Sequence, residues 1–259
     1  MQRISSRNNP RLREIARLLA SARDRRKAGK CVLEGEHLIA VCAARHGAPD
    51  ALVVAEDCLD RPGIAALAER YADRALVVPA RLFAELATLP AGVGILALVA
   101  TPRAAATVPA DFCLLLEDIQ DPGNVGSMLR SAAAAGVGQV LLSRHCAFAW
   151  SPKVLRAAQG AHFHLDVHEE VDLPQWAAGF VATGGRLVAT VAAGGTPLFD
   201  APLGGRLAIA VGNEGAGLSE PLLALADARV TIPMPGGTES LNVAAAAAIC
   251  LFECVRQRR

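Results

Sequence analysis

The sequence predicts an α/β protein with a mostly parallel sheet and a smaller α/β domain ahead of it. Three observations carry that expectation. Short apolar, β-like runs alternate with helical stretches from residue 31 to the end, which is the pattern of a sheet with covered faces. Several runs empty into glycine-rich strand-to-helix loops. Of 259 residues, 53% are hydrophobic and 20% charged, enough for packed cores and incompatible with general disorder.

The first thirty residues read as a basic helix, since Leu12, Ile15, Ala16 and Leu19 recur at helical spacing with arginines between them. Ten basic side chains stand there against two acidic ones, a net charge of +8, while the remaining 229 residues sum to −7 under a whole-chain charge of +1. A basic head on a near-neutral body suggests a phosphate backbone as partner, with a solvated helix face as the plainer alternative. A small basic tail stands at Arg256, Arg258 and Arg259. Strand and helix then alternate through 31–33, 36–44, 51–54, 64–71, 75–78, 82–87 and 95–99, giving a first domain over 1–100. Residues 101–110 (TPRAAATVPA) lack a clean period and form the expected linker. The second series, over 111–259, runs strand 112–116, helix 126–135, strand 140–142, helix 154–158, strand 163–167 and helix 173–182. It continues with strands 187–191 and 207–211, helix 220–226, strand 229–232 and a final helix 241–256.

Composition removes several function classes. Aromatics are only 4%, too few for a stacking-rich single-strand binder. Seven cysteines form no CxxC pair and are odd in number, so reduced, mostly buried thiols are expected rather than a disulfide framework or zinc ribbon. No run of eighteen apolar residues occurs and the amino terminus lacks a secretory apolar segment, which reads as a cytoplasmic protein without a membrane partner. His162, His164 and His168 make no complete tetrahedral set, so no metal is expected. Trp150 and Trp176 read as packing anchors, and Cys250 and Cys254, one turn apart, as packed thiols.

Ligands of open parallel sheets bind at the carboxyl ends of strands, so three loops hold the candidate chemistry. The first, 117–130, offers Asn124 as a helix cap, a bare Gly126, and Arg130 about one turn into the helix, facing a bound anion. The second, 212–220, has three glycines for close backbone approach, with Asn213 and Glu214 as directed polar groups. It is not the GxGxxG fingerprint, which disfavours a standard dinucleotide fold. The third, 233–240, pairs two prolines with two glycines and ends on Ser240 as the expected cap of the last helix.

The ordered set N-x-G-x-x-x-R, V-G-N-E-G-x-G-L-S and I-P-M-x-G-x-x-x-S-L-N closely resembles the SpoU, or TrmH-like, family of RNA ribose 2′-O-methyltransferases of the SPOUT class. The likeness spans nearly the whole chain. Residues 112–259 resemble the catalytic domain, and Glu34-Gly35-Glu36-His37-Leu38 resembles part of the family's RNA-binding substrate domain, whose fold is similar to L30e and L7Ae ribosomal proteins. The resemblance implies a deep carboxyl-terminal trefoil knot, although chains as a rule do not thread their own loops. It implies S-adenosyl-L-methionine as cofactor, RNA (rRNA, 23S, in preference to tRNA) as substrate, and a homodimer through the catalytic domain. By motif position, Gly212, Asn213, Ile232, Met234 and Leu241 fall at the cofactor, and Asn124, Arg130, Glu214, Ser240 and Asn242 in the polar catalytic cluster. Ala133 stands where many members carry an acidic residue and Ala158 where many carry serine, departures that bear on substrate positioning.

A ribose 2′-hydroxyl is a poor nucleophile, so the protein's tasks are in-line placement and removal of one proton. The resemblance assigns activation to Arg130. Because a guanidinium ordinarily keeps its proton, two roles stay open: an unusual base, or a clamp on a substrate phosphate. The competing class is a non-catalytic RNA-binding protein that kept the knotted fold, and a nucleotide-binding module would leave the +8 head unexplained. The last helix is apolar nearly all round, which predicts burial on more than one side and a symmetric partner.

Overall fold

In a computed structural model, the structure describes residues 1–88, 93–104 and 108–258. Residues 105–107 of the expected linker, and Arg259 of the basic tail, lie outside the described residues. The chain divides into two units: Met1–Pro102 with Trp150–Phe163, and Arg103–Ala149 with His164–Arg259.

In the first unit the basic head is two helices, α1 (Pro10–Ala20) and α2 (Ala22–Ala28), where the spacing suggested one. They are preceded by a two-residue strand, β1 (Gln2–Arg3). Pro10 at the first helical position, with Asn9 accepting from the Arg11 N–H at 2.9 Å, starts α1, and Ser21 caps α2. Leu12, Ile15 and Leu18, rather than Ala16, form the buried face. Not all of the charge is free: Arg25 is buried and donates to the carbonyls of Leu18 and Leu19, and Lys30 pairs with Asp50 at 2.9 Å. The head is thus part of this unit's core rather than an appendage. After it come β2 (Lys30–Glu34), α3 (Glu36–His46), β3 (Ala51–Ala55), α4 (Pro62–Arg70), β4 (Ala75–Val78), α5 (Ala80–Leu86) and β5 (Ile95–Ala100). The sheet order is β1-β4-β3-β5-β2, with β5 antiparallel to both neighbours and the remaining pairs parallel.

The second unit holds β6 (Phe112–Leu116), α6 (Pro122–Ala134) and β7 (Gln139–Leu142). The next helix, α7 (Pro152–Ala158), packs on β2 of the first unit, so the expected catalytic stretch 111–259 is interrupted over 150–163. The series resumes with β8 (Asp166–His168), α8 (Leu173–Ala182), β9 (Arg186–Thr190), β10 (Thr196–Pro197), β11 (Leu207–Val211), α9 (Glu220–Leu225), β12 (Ala228–Thr231) and α10 (Val243–Gln257). The strand expected at 163–167 is in fact a 3-10 turn at Ala161–His164 followed by β8. Seven strands run β10-β12-β9-β11-β6-β7-β8, all pairs parallel. Cys113, Leu115, Ala208 and Ala210 pack with Leu173, Ala177, Phe180 and Leu222 from α8 and α9 on one face. Strand alternation sends Leu114, Leu116 and Ile209 to the opposite face, where α10 lies on β11 and against α6. Trp176 stacks on Phe180 at 5.0 Å. Among the described residues no helix is long and apolar enough to cross a membrane.

The last turn of α10 is fastened by side chains. Gln257 receives the Leu203 N–H at 2.7 Å and donates to the Ala201 carbonyl at 3.0 Å, while Glu253 accepts from Arg256 and Gln257 at 2.7–2.8 Å. The Arg256 guanidinium and then the Gln257 amide hold the Glu253 carboxyl down to about 2 from an ordinary 4.5. A depressed carboxyl adds stability above its unfolded value and loses it as pH falls through the folded one. The melting-temperature difference between the wild type and Glu253→Gln should therefore be constant above about pH 5 and shrink steadily between pH 4.5 and 2, in thermal melts followed by circular dichroism.

Candidate active site

The parallel strands of the second unit bring their carboxyl ends to one edge, and the loops leaving β9, β11 and β12 enclose a cavity of about 390 Å³ there. All five residues expected to hold a cofactor line it: Gly212, Asn213, Ile232, Met234 and Leu241. So do Glu214 and Ser240 from the expected catalytic cluster. Val191, Val211, Val230, Val243 and Cys250 supply an apolar wall, and burial pushes the Cys250 thiol up to about 12, so it is a neutral wall atom at physiological pH. Among the described lining residues, Glu214 carries the one charge.

The loop after β11 is closed on itself. Asn213 and Gly217 exchange both backbone hydrogen bonds, at 3.1 and 2.9 Å, and the Asn213 side-chain oxygen accepts from the N–H groups of Gly215 and Ala216. This tight return explains Gly212 differently from the sequence reading. A Cβ there would come within 2.3–2.5 Å of the Gly217 and Leu218 backbone, so the glycine admits its own loop before it admits a ligand.

A chain of side-chain amides stands at the edge of the cavity. Asn124 donates to Glu214 at 2.6 Å, and Asn242 donates to Asn124 at 3.0 Å. The Asn242 oxygen caps α10 by accepting from Ala244 and Ala245. Two expected caps are thereby corrected. Asp121, not Asn124, caps α6, accepting the Asn124 N–H at 2.8 Å, because Pro122 takes the first helical position and moves the start upstream of Gly126. Asn242, not Ser240, caps α10, which begins at Val243, and Ser240 stays an exposed lining residue.

Arg130 is the predicted site residue that the structure does not bring in. It is the ninth residue of α6, about 12 Å along the axis from the first and about 120° around it from Asn124, so it stands two turns in rather than at the anion-binding end. It is exposed and has no partner among the described residues.

Sequence reasoning missed the groups that hold the loop. Glu117 accepts from the Ser219 N–H and hydroxyl, both at 2.7 Å, and the Asp118 carbonyl accepts from the Asn213 side chain at 2.9 Å. An acidic pair placed directly after the apolar run 112–116 was the available signal. Among the described residues no group of three or more His, Cys, Asp or Glu is arranged to hold a metal ion.

Comparison with known proteins gives the following likenesses. The model of the SpoU rRNA Methylase family matches residues 111–252. The chain is 32% identical to the 23S rRNA (guanosine(2553)-2′-O)-methyltransferase RlmP of Bacillus subtilis, over 97% of this chain and 98% of that one. It superposes with a TM-score of 0.85 on a crystal structure of an RNA 2′-O ribose methyltransferase, at 31% identity and 99% coverage of both chains. The SpoU methyltransferase AviRb of Streptomyces viridochromogenes, solved in complex with AdoMet, superposes with a TM-score of 0.84 at 28% identity, covering 96% of this chain and 98% of that one.

The closed loop yields a direct test. Gly212→Ala forces the Gly217 backbone to move, at a cost of about 1–3 kcal/mol, and should lower the melting temperature by several degrees. Gly236→Ala, whose Cβ meets nothing within 4 Å, should leave the melt unchanged.

Proposed function

The chain belongs to the SpoU rRNA methylase family, and on that premise we propose that it transfers a methyl group from S-adenosylmethionine to a ribose 2′-hydroxyl of 23S ribosomal RNA. The observation that carries the reading is the cavity at the strand ends, walled by apolar side chains and glycine-rich backbone and edged by the Asn124–Glu214–Asn242 chain. Its donor set suits the cofactor: apolar walls and loop backbone for a purine and ribose, and one carboxylate, Glu214, for a cationic ligand. When bound, S-adenosylmethionine supplies a sulfonium methyl that is already electrophilic. The chain's own work is to hold the ribose in line, shield it from water and place proton acceptors beside it.

In this reading Gly212, Asn213, Ile232, Met234 and Leu241 hold the cofactor, and Asn124 and Asn242 fix the Glu214 carboxylate at the rim. Ser240 faces the ribose from the cavity wall. Arg130, exposed and unpaired among the described residues, is a clamp for a substrate phosphate. The two units divide the labour as substrate binding and catalysis, the first having an L30e-like fold. Its exposed Arg7, Arg13, Arg17, Arg23 and Lys27 form the RNA-facing charge. The same unit holds a second cavity, of about 610 Å³, lined by Glu34, Gly35, Glu36, His37, Arg61 and Arg156 among others. We also read the carboxyl-terminal crossing as a trefoil knot. In support, β12 lies outside β9 in the sheet, yet Asn242, eleven residues beyond the end of β12, bonds to Asn124 and α10 packs against α6.

Homodimerisation completes the proposal. Within one copy α10 is not covered all round: Ala245 and Phe252 are exposed, Ile249 is half-buried, and Leu241 ahead of the helix is exposed. The positions 245, 249 and 252 make one apolar stripe at helical spacing. A second copy is the occupant we assign to it, which would leave each Arg130 available to the other copy's cavity.

Two measurements test these readings. Ribose-methylation mapping of 23S rRNA from cells with and without the gene should show one site lost, and an unchanged map in both rRNA and tRNA would overturn the activity. Sedimentation equilibrium at micromolar concentration should give about twice the 26.9 kDa chain mass, falling toward the monomer in Phe252→Glu.

A further inference from the structure

We propose that Glu117 is a positioning residue for the cofactor cavity, acting through Ser219, an inference that rests on the cavity taking S-adenosylmethionine. Glu117 is the first residue beyond β6, and its N–H donates to the Val211 carbonyl at 2.9 Å, the last residue of the neighbouring strand β11. One carboxylate oxygen receives the Ser219 N–H and the other its hydroxyl, each at 2.7 Å. Ser219 closes the loop that Gly212 opens, so a single residue, through its backbone N–H and its carboxylate, spans from the root of that loop to its far end.

The adjoining residue holds the near end. Asp118 has φ of 56°, a left-handed conformation uncommon outside glycine, and its carbonyl accepts from Asn213 at 2.9 Å. Ser143 fixes that turn, receiving the Asp118 N–H at 2.9 Å and donating to its carboxylate at 2.6 Å. Residues 117 and 118 therefore brace residues 219 and 213, and what lies between them is cavity wall. Leu218, beside Ser219, lines the cavity and also packs into the core under α8 and α9. Without the Glu117 contacts this stretch keeps its apolar anchor and loses its two charge-assisted hydrogen bonds, which displaces the wall without unfolding the sheet.

The test is calorimetric and kinetic, on the full chain. Glu117→Gln should weaken S-adenosylmethionine and S-adenosylhomocysteine binding by about tenfold and raise the cofactor KM to match. The kcat at saturating cofactor and the KM for RNA should stay within about twofold. Ser219→Ala should act in the same direction, and the double variant should be no worse than Glu117→Gln, since both remove one interaction. If Glu117→Gln does not fold, Ser219→Ala decides on the same readouts. An unchanged cofactor affinity alongside a lowered melting temperature would make Glu117 a stabilising group only and overturn the inference. A wild-type protein that binds no S-adenosylmethionine would overturn the cofactor reading, and this inference with it.

Discussion

The candidate site depends on two neighbouring parallel strands ending in register. Because Leu116 pairs with Val211, the chain leaves β6 and β11 side by side, and the residues just beyond them can bond across the gap. Glu117 reaches the Val211 carbonyl and Ser219, and Asp118 receives Asn213, so the glycine-rich loop is held by the loop next to it. A loop with so little side-chain mass has Leu218 as its one buried apolar anchor. Its shape comes from its internal hydrogen bonds and from those two braces, and the cavity wall inherits that shape.

From this root the polar chain extends outward. Glu214 sits at the tip of the braced loop, Asn124 in the first turn of α6 and Asn242 at the cap of α10. The residues lie 90 and 118 positions apart in sequence, yet Glu214 is the third residue beyond β11, Asn124 the third of α6 and Asn242 the residue before α10. Asn242 is shared between capping α10 and bonding Asn124, so its loss would free two backbone N–H groups and loosen the chain at once.

Much of this was legible. The alternation of apolar runs and loops placed the strand ends, the rule that ligands sit at the carboxyl edge of a parallel sheet singled out the loops 117–130, 212–220 and 233–240, and the family motifs added Ile232 and Leu241 to the set. The caps were misread because Asp121 and Asn124, or Ser240 and Asn242, are equally competent chemistries a few residues apart. Proline 122 was the discriminating signal in the first case. A charge count could not say which way each side chain of the basic head points: Arg25 turns inward to close α1 while its neighbours face water. The 150–163 segment was assigned by sequence contiguity, which says nothing about the sheet against which a short helix packs. Strands of two residues, such as β1 and β10, are too short to show a period.

Arg130 and α10 pose one problem with one solution. In a single copy, the one basic residue among the expected catalytic groups stands exposed two turns into α6, away from that copy's cavity. The helix packed against α6 meanwhile leaves an apolar stripe in water, which a globular chain ordinarily covers. In the proposed dimer a second copy would bury the stripe of the helix that packs against α6, and one interface would answer both observations. Covering it with another part of the same chain would hide the stripe but bring Arg130 no nearer to a cavity. The alanines at 245 and 248 favour the first solution, since small side chains let two helices approach closely enough for residues of one copy to reach the other.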